Sequence, residues 1–145
     1  MANFHSTFFS IGNSEDFSAD AWRPYFLNFD TQKWNEDMGG SIQYIDGQCN
    51  YSLIMNYVEG KILSISYSVY CASDFSRNIS YISLNKIDSM NDFLISKNAT
   101  TLPIGSCIVS DLVWNAVESF LNDPVHLPVT IQWANSKDIV WGEDF

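Results

Sequence analysis

Basic residues are scarce in this 145-residue sequence, which contains seven lysines and arginines against seventeen aspartates and glutamates. The formal charge at pH 7 is therefore −10. Nucleic-acid-binding proteins use lysine and arginine to replace the counterions of the phosphates, and the basic residues here form no stripe along the chain. We therefore expect neither nucleic acid nor an anionic membrane as a partner. A field of this sign attracts a basic protein surface, although it also serves simple solubility.

Long apolar runs are also missing, and no stretch approaches the ~20 residues that a membrane helix needs. The first residues show no lysine or arginine ahead of a short apolar run, and so no signal-peptide organisation. Both observations predict a protein that stays in the cytoplasm.

Cysteine is infrequent and shows no paired spacing. Cys49, Cys71 and Cys107 are odd in number, far apart in sequence and not arranged as C-x-x-C. A disulfide framework or a zinc site usually shows paired spacing, so we expect three reduced thiols.

The motifs of common catalytic sites are absent from the sequence. Histidine occurs only as His5 and His126, and there is no G-x-S-x-G elbow, P-loop, G-x-G-x-x-G or helical pair of metal ligands. Carboxylates are plentiful, but none are ordered around a glycine as in a calcium loop. We predict no catalytic residue, no cofactor and no metal. A small hydrolase that uses buried acids remains the enzyme alternative.

The patterns that are present predict one α+β domain over residues 1–145. Between residues 14 and 30, apolar residues at helical spacing predict one short N-terminal helix, kinked or begun near Pro24 and capped by Ser14 or Ser18.

From residue 41 to residue 84 the apolar residues alternate, with turn signals at Asp46-Gly47 and Glu59-Gly60-Lys61. This pattern predicts an antiparallel meander of about four strands, with one dry face and one wet face rich in serine, asparagine and glutamine.

The second half of the sequence contains the strongest helix pattern, over residues 110–121, with Ser110 as its expected N-cap and Asp111 and Glu118 on its wet side. A short helix is predicted within residues 87–94 and a final strand over residues 129–133. We expect a sheet of about five strands with the strong helix packed on one face. The apolar stripe of this helix includes Leu112, and the helix residues expected in the core are Val113, Val117 and Phe120.

Acids and aromatics in the irregular segments are the predicted partner contacts, because the helix and strands use their apolar faces in the core. The first predicted set is Glu15, Asp16, Asp20, Trp22, Trp34, Glu36, Asp37 and Asp74. The second predicted patch is Trp141, Glu143 and Asp144. The alternative for these tryptophans is that they cover the open face of the sheet, and we expect Trp114 and Trp133 to lie in the core.

The last third of the sequence reads L-P-I-G-S at residues 102–106, then a helix that ends in A-V-E-S-F-L, then L-P-V-T-I-Q-W at residues 127–133. This order resembles immunity protein family one of bacterial polymorphic toxin and contact-dependent inhibition systems. The hairpin over residues 51–70 is similar to the family's central strands. The Gly-x-Arg-Pro often found before the family's last strand is replaced by His126-Leu127-Pro128.

The resemblance implies an antidote that binds a toxin domain, often a nuclease or nucleic-acid deaminase, and blocks it without catalysis. Such toxins are commonly basic, which suits a strongly acidic inhibitor. We expect a monomer or weak dimer in the bacterial cytoplasm, bound to a basic toxin domain. An acidic cytoplasmic chaperone that keeps a secreted effector unfolded remains the alternative binding function.

Overall fold

The structure, a computed structural model, describes residues 3–8 and 16–140. Within these residues the helices are α1 (Ala19–Leu27), α2 (Thr31–Asp37) and α3 (Ser110–Asn122). The larger sheet contains β1 (Asn3–Ser6), β2 (Gly39–Asp46), β3 (Cys49–Glu59), β4 (Ile62–Cys71), β5 (Ile79–Ser83), β8 (Ile108–Val109) and β9 (Trp133–Asn135). The smaller sheet contains β6 (Phe93–Ile95) and β7 (Thr101–Pro103).

The mixed α+β class is confirmed, although the larger sheet has more strands than the expected five. Its order is β1-β2-β3-β4-β5-β9, with β8 paired to the first residues of β4 and every pairing antiparallel. The predicted meander corresponds to β2 through β5. Its first two turns contain Gly47 and Gly60, both with positive φ, which glycine adopts readily.

The two faces of the sheet differ as the alternation predicts. On β3, the side chains of Leu53, Met55 and Tyr57 are buried against the helices, while the residues between them lie on the opposite face. The core between sheet and helices is rich in aromatic rings, including those of Trp22 and Phe120. On the opposite face, β2 through β4 carry mainly polar side chains, while Ile82 of β5 is buried in a second, smaller hydrophobic cluster with Met90 and Ile139.

Two helices, and not the single predicted one, occupy the N-terminal segment. Ser18 caps α1 by accepting a hydrogen bond from the Ala21 N–H at 3.3 Å, as predicted, and Pro24 lies inside the helix. The second helix, α2, was missed: the Asp30 side chain caps it by accepting the Gln32 N–H at 3.0 Å. A single buried ring, Trp34, holds this short helix on the core, too little periodicity for a sequence pattern to detect.

Helix α3 confirms the strongest helix prediction, and Val113, Val117 and Phe120 are all fully buried. Two details are corrected. The N-cap position is Val109, no side chain caps the helix there, and Ser110 is already its first residue. Leu112, which was expected on the apolar stripe, is 41% exposed.

The predicted final strand at residues 129–133 is wrong in position. The strand is β9, which begins at Trp133 and pairs with β5, whereas Val129 is 88% exposed. The Trp133 indole donates to the Pro128 carbonyl at 2.5 Å and so closes the preceding segment into a loop. The helix predicted within residues 87–94 is reduced to a 3₁₀ turn, Ile87–Ser89, ahead of β6.

Candidate partner-binding surfaces

Trp22 and Trp34 do not present their rings to a partner, which corrects the prediction for both. Each side chain has no exposed surface, and each indole N–H donates to a backbone carbonyl, Trp22 to Asp16 at 3.1 Å and Trp34 to Tyr25 at 3.2 Å. The ring of Trp34 also stacks on Phe29, with centroids 5.3 Å apart. Both tryptophans belong to the core.

Asp37 is corrected as well, because it is only 9% exposed and accepts a hydrogen bond from the Tyr25 hydroxyl. This bond joins α1 to the end of α2. Glu36, its neighbour in sequence, faces solvent.

Four of the predicted acids, Asp16, Asp20, Glu36 and Asp74, are exposed. The Ser18 N–H donates to Asp16 at 2.9 Å, and this bond, together with the Ser18 side chain, lowers the pKa of the Asp16 carboxyl. Asp74 lies apart from the other three, in the connection between β4 and β5, where it accepts from the Ser76 N–H at 3.1 Å. The remaining predicted contacts, Glu15, Trp141, Glu143 and Asp144, lie outside the described residues.

The charge of the described chain is concentrated on its three helices together with the residues that flank them. The helical layer, defined here as residues 16–37 and 110–123, carries eight carboxylates against Arg23 and Lys33, a formal charge of −6. All other described residues carry six carboxylates against five basic groups, a formal charge of −1. Among the described residues, the helical layer is therefore strongly acidic and the remainder is close to neutral.

Arg23 connects the acids of α1 with those of α3. Its guanidinium lies 2.6 Å from Asp20 and 3.7 Å from Glu118, and it sits over the ring of Trp114 at 5.7 Å from the centroid. Asp20 and Glu118 thus belong to one continuous surface. Its two carboxylates exceed the single positive charge of Arg23 between them, so the surface stays acidic.

Several acids of the helical layer were missed as partner contacts, because we sought contacts in irregular segments alone. The missed acids are Asp30, Asp111, Glu118 and Asp123. The wet side of the strong helix pattern already contained Asp111 and Glu118, so the signal was present in the sequence. An amphipathic helix leaves its polar face available to a partner even while its apolar face is buried.

The expectation of three reduced thiols is wrong, because Cys49 and Cys71 form a disulfide. The two residues are directly opposite each other in the β3–β4 hairpin. Both lie eleven residues from Gly60 in its turn, so the hairpin pattern contained the signal for their pairing. Cys107 is free, and burial raises the pKa of its thiol.

A groove of about 490 Å³ lies on the sheet face opposite the helices. Its floor is formed by β3, β4 and β5, and its walls by the turn and strand after β6 on one side and Ser136 on the other. The β6–β7 turn is attached to the sheet by hydrogen bonds from the Asn98 amide to Asn56 at 3.1 Å and from the Lys97 N–H to the Tyr57 carbonyl at 3.2 Å.

Few side chains among the described residues are arranged as a catalytic or metal-binding site would require. His126 contacts Asp123 at 2.9 Å on the exposed surface. No group of three or more histidine, cysteine or acidic side chains in residues 3–8 and 16–140 is placed to hold a metal. In the same residues, no helix has both the length and the apolar character to cross a membrane.

Neither a protein-family model nor a curated protein matches this sequence.

Proposed function

We propose that this protein is an antidote that binds a basic toxin domain in the bacterial cytoplasm and blocks its action. The observation that carries the proposal is the charge of −6 on the helical layer, compared with −1 on the rest of the described chain. A partner that binds phosphate through a basic cleft is the natural complement of such a surface.

The acids of the helical layer are held on a rigid support. The aromatic core fixes α1 and α3 against the sheet through the buried rings of Trp22, Phe26 and Phe120. Five of the eight acids lie within the packed helices and keep their relative positions, so binding through them does not require the ordering of a loop. This arrangement favours an inhibitor that acts through shape and charge and needs no reactive group.

Opposite charges act mainly on the encounter of the two proteins. A surface of one sign steers a basic partner toward itself, while short-range packing at the interface determines how long the complex lasts. The exposed leucines beside these acids, Leu27 and Leu112, supply apolar area for such packing.

The test first asks whether the gene immediately upstream encodes a large secreted protein with a variable terminal domain. That terminal domain is then co-expressed with this protein in a bacterial host. Wild-type protein should restore growth, and Glu36→Lys combined with Glu118→Lys should restore it less well. The matched control is Asp88→Lys with Asp92→Lys, which changes net charge equally on exposed acids outside the helical layer. Equal protection by both double variants would contradict a helical interface.

The same complex distinguishes an antidote from a chaperone. An antidote holds its partner folded, so the amide exchange of the toxin domain should remain that of a native protein in the complex. Exchange at the rate of an unfolded chain would support the chaperone alternative.

A further inference from the structure

We infer that the groove on the sheet face opposite the helical layer is a binding site for a short, uncharged oligosaccharide. This site is separate from the proposed toxin-binding surface and does not depend on it. Its volume of about 490 Å³ lies within the range of small-molecule sites and is too small for a folded partner.

The groove has a floor and two walls. Ser66 of β4 lies between Ile54 of β3 and Ile82 of β5, so a row of one hydroxyl flanked by two aliphatic side chains crosses its floor. One wall contains Thr101 and Leu102, and the turn that supports this wall is fixed to the sheet by the bond between Asn98 and Asn56.

Several polar side chains inside the groove have hydrogen-bonding atoms that form no hydrogen bond with any other described residue. Asn56 is only 9% exposed; its Oδ1 accepts from Asn98, while its Nδ2 donates to no side chain or backbone group among the described residues. The hydroxyls of Ser66 and Thr101 likewise have no side-chain or backbone partner within that part of the chain. Such groups both donate and accept, or present paired donors, and are suited to a ligand with hydroxyl groups.

The absence of charge decides the class of ligand. None of the described residues that line the groove is acidic or basic, although the whole chain carries −10. A charged ligand buried there would lose hydration without gaining an opposite charge. A sugar ring has hydroxyls at its edge and C–H groups on its face, and these match the open hydroxyls and the exposed side chain of Ile54 on the floor.

Calorimetric titration of the whole protein with maltotriose, cellotriose and N,N′,N″-triacetylchitotriose tests the site. We expect at least one of these to bind at millimolar concentration or tighter. Trigalacturonate and an end-capped neutral hexapeptide of serine and asparagine are the comparison ligands. Binding of either comparison ligand in preference to all three neutral sugars would overturn the proposal, as would no binding at all.

Variants then locate the binding. Ser66→Leu should fill the groove and abolish binding, whereas Ser52→Leu, on the same face of the sheet but outside the groove and hydrogen-bonded to Asn50, should leave it unchanged. Thr101→Val keeps the side-chain shape and should weaken binding about tenfold, as expected for the loss of one hydrogen bond. The same affinity in Thr101→Val and wild type would contradict the assignment. The Glu36→Lys, Glu118→Lys double variant should bind sugar normally, which separates this site from the toxin-binding proposal.

Discussion

The Tyr25 hydroxyl donates a hydrogen bond to the Asp37 carboxylate, so two acids that are adjacent in sequence have different surroundings. Asp37 faces the core side of α2, and Glu36 faces solvent. This difference cannot be read from the sequence, because it depends on the side of a seven-residue helix from which Trp34 enters the core.

Charge reversal at these two positions should therefore give unequal results. Asp37→Lys places an amine beside the core and removes the acceptor of Tyr25, so we expect it to lower the free energy of unfolding by roughly 2 to 4 kcal/mol. Glu36→Lys, its exposed neighbour, should change that free energy by less than about 0.5 kcal/mol. Urea denaturation of both variants measures the difference, and equal losses would show that the environment of Asp37 is misassigned.

In helix α3, one alanine substitution on the buried side can be compared with one on the exposed side. Phe120→Ala removes a fully buried ring and should lower the free energy of unfolding by ~3 to 5 kcal/mol. Leu112→Ala on the exposed side should cost less than about 1 kcal/mol, since alanine is as good a helix former as leucine. A Phe120→Ala variant as stable as Leu112→Ala would refute the packing of this helix.

The Cys49–Cys71 disulfide closes the β3–β4 hairpin and restricts the unfolded chain. Its loss should lower the free energy of unfolding by about 2 to 4 kcal/mol while the fold persists, because the strands stay paired through their backbones. Denaturation of wild type with and without a reductant measures this. The Cys49→Ser, Cys71→Ser double variant should match the reduced wild type and show no effect of reductant. An equal effect of reductant on the double variant would assign the change to another cause.

A disulfide is uncommon in a reducing cytoplasm, so its state in the cell bears directly on the proposed location. Trapping of thiols in intact cells should show Cys49 and Cys71 reduced if the chain functions in the cytoplasm. Complete oxidation of the pair would instead indicate an oxidising compartment.

Alkaline pH should destabilise the protein through Tyr67. The hydroxyl of Tyr67 donates to the Pro124 carbonyl at 2.8 Å, and burial raises the pKa of Tyr67 well above its usual range. The unfolded chain releases this proton at pH near 10, where the folded protein retains it, so stability is complete below that pH and falls as pH rises above it. Tyr67→Phe should reduce the slope of stability against pH between about pH 10 and 11, and Tyr70→Phe, on the exposed face, serves as control. An unchanged slope in Tyr67→Phe would contradict this role.

The sequence predicted the features of this fold that depend on local periodicity. Alternation located β2 through β5, and helical spacing located α3 with its buried Phe120. Features determined by long-range packing were not predicted: the alternating residues before Trp133 form a loop, because the Trp133 indole bonds the Pro128 carbonyl and pairing with β5 begins only at that tryptophan.

For the candidate surfaces too, the sequence predicted the composition but not the features that depend on packing. The acidic composition was evident from the sequence, but its concentration on one layer depends on how α1 packs beside α3, with Arg23 between Asp20 and Glu118. Trp22 and Trp34 were misjudged because Asp20 and Glu36, each two residues away in sequence, are exposed while the two rings are buried. The groove depends on a turn reaching back to Asn56 from Asn98, a contact across 42 residues.

The most direct test of the proposed function is the rate at which this protein associates with the toxin domain that the co-expression test identifies, measured as ionic strength is raised. We predict that the association rate constant falls about tenfold or more between low and physiological salt while the dissociation rate constant changes little. The Glu36→Lys, Glu118→Lys variant should associate more slowly and with a weaker dependence on salt than the Asp88→Lys, Asp92→Lys control. An association rate that does not respond to salt, or that responds equally in both variants, would contradict recognition through the helical layer.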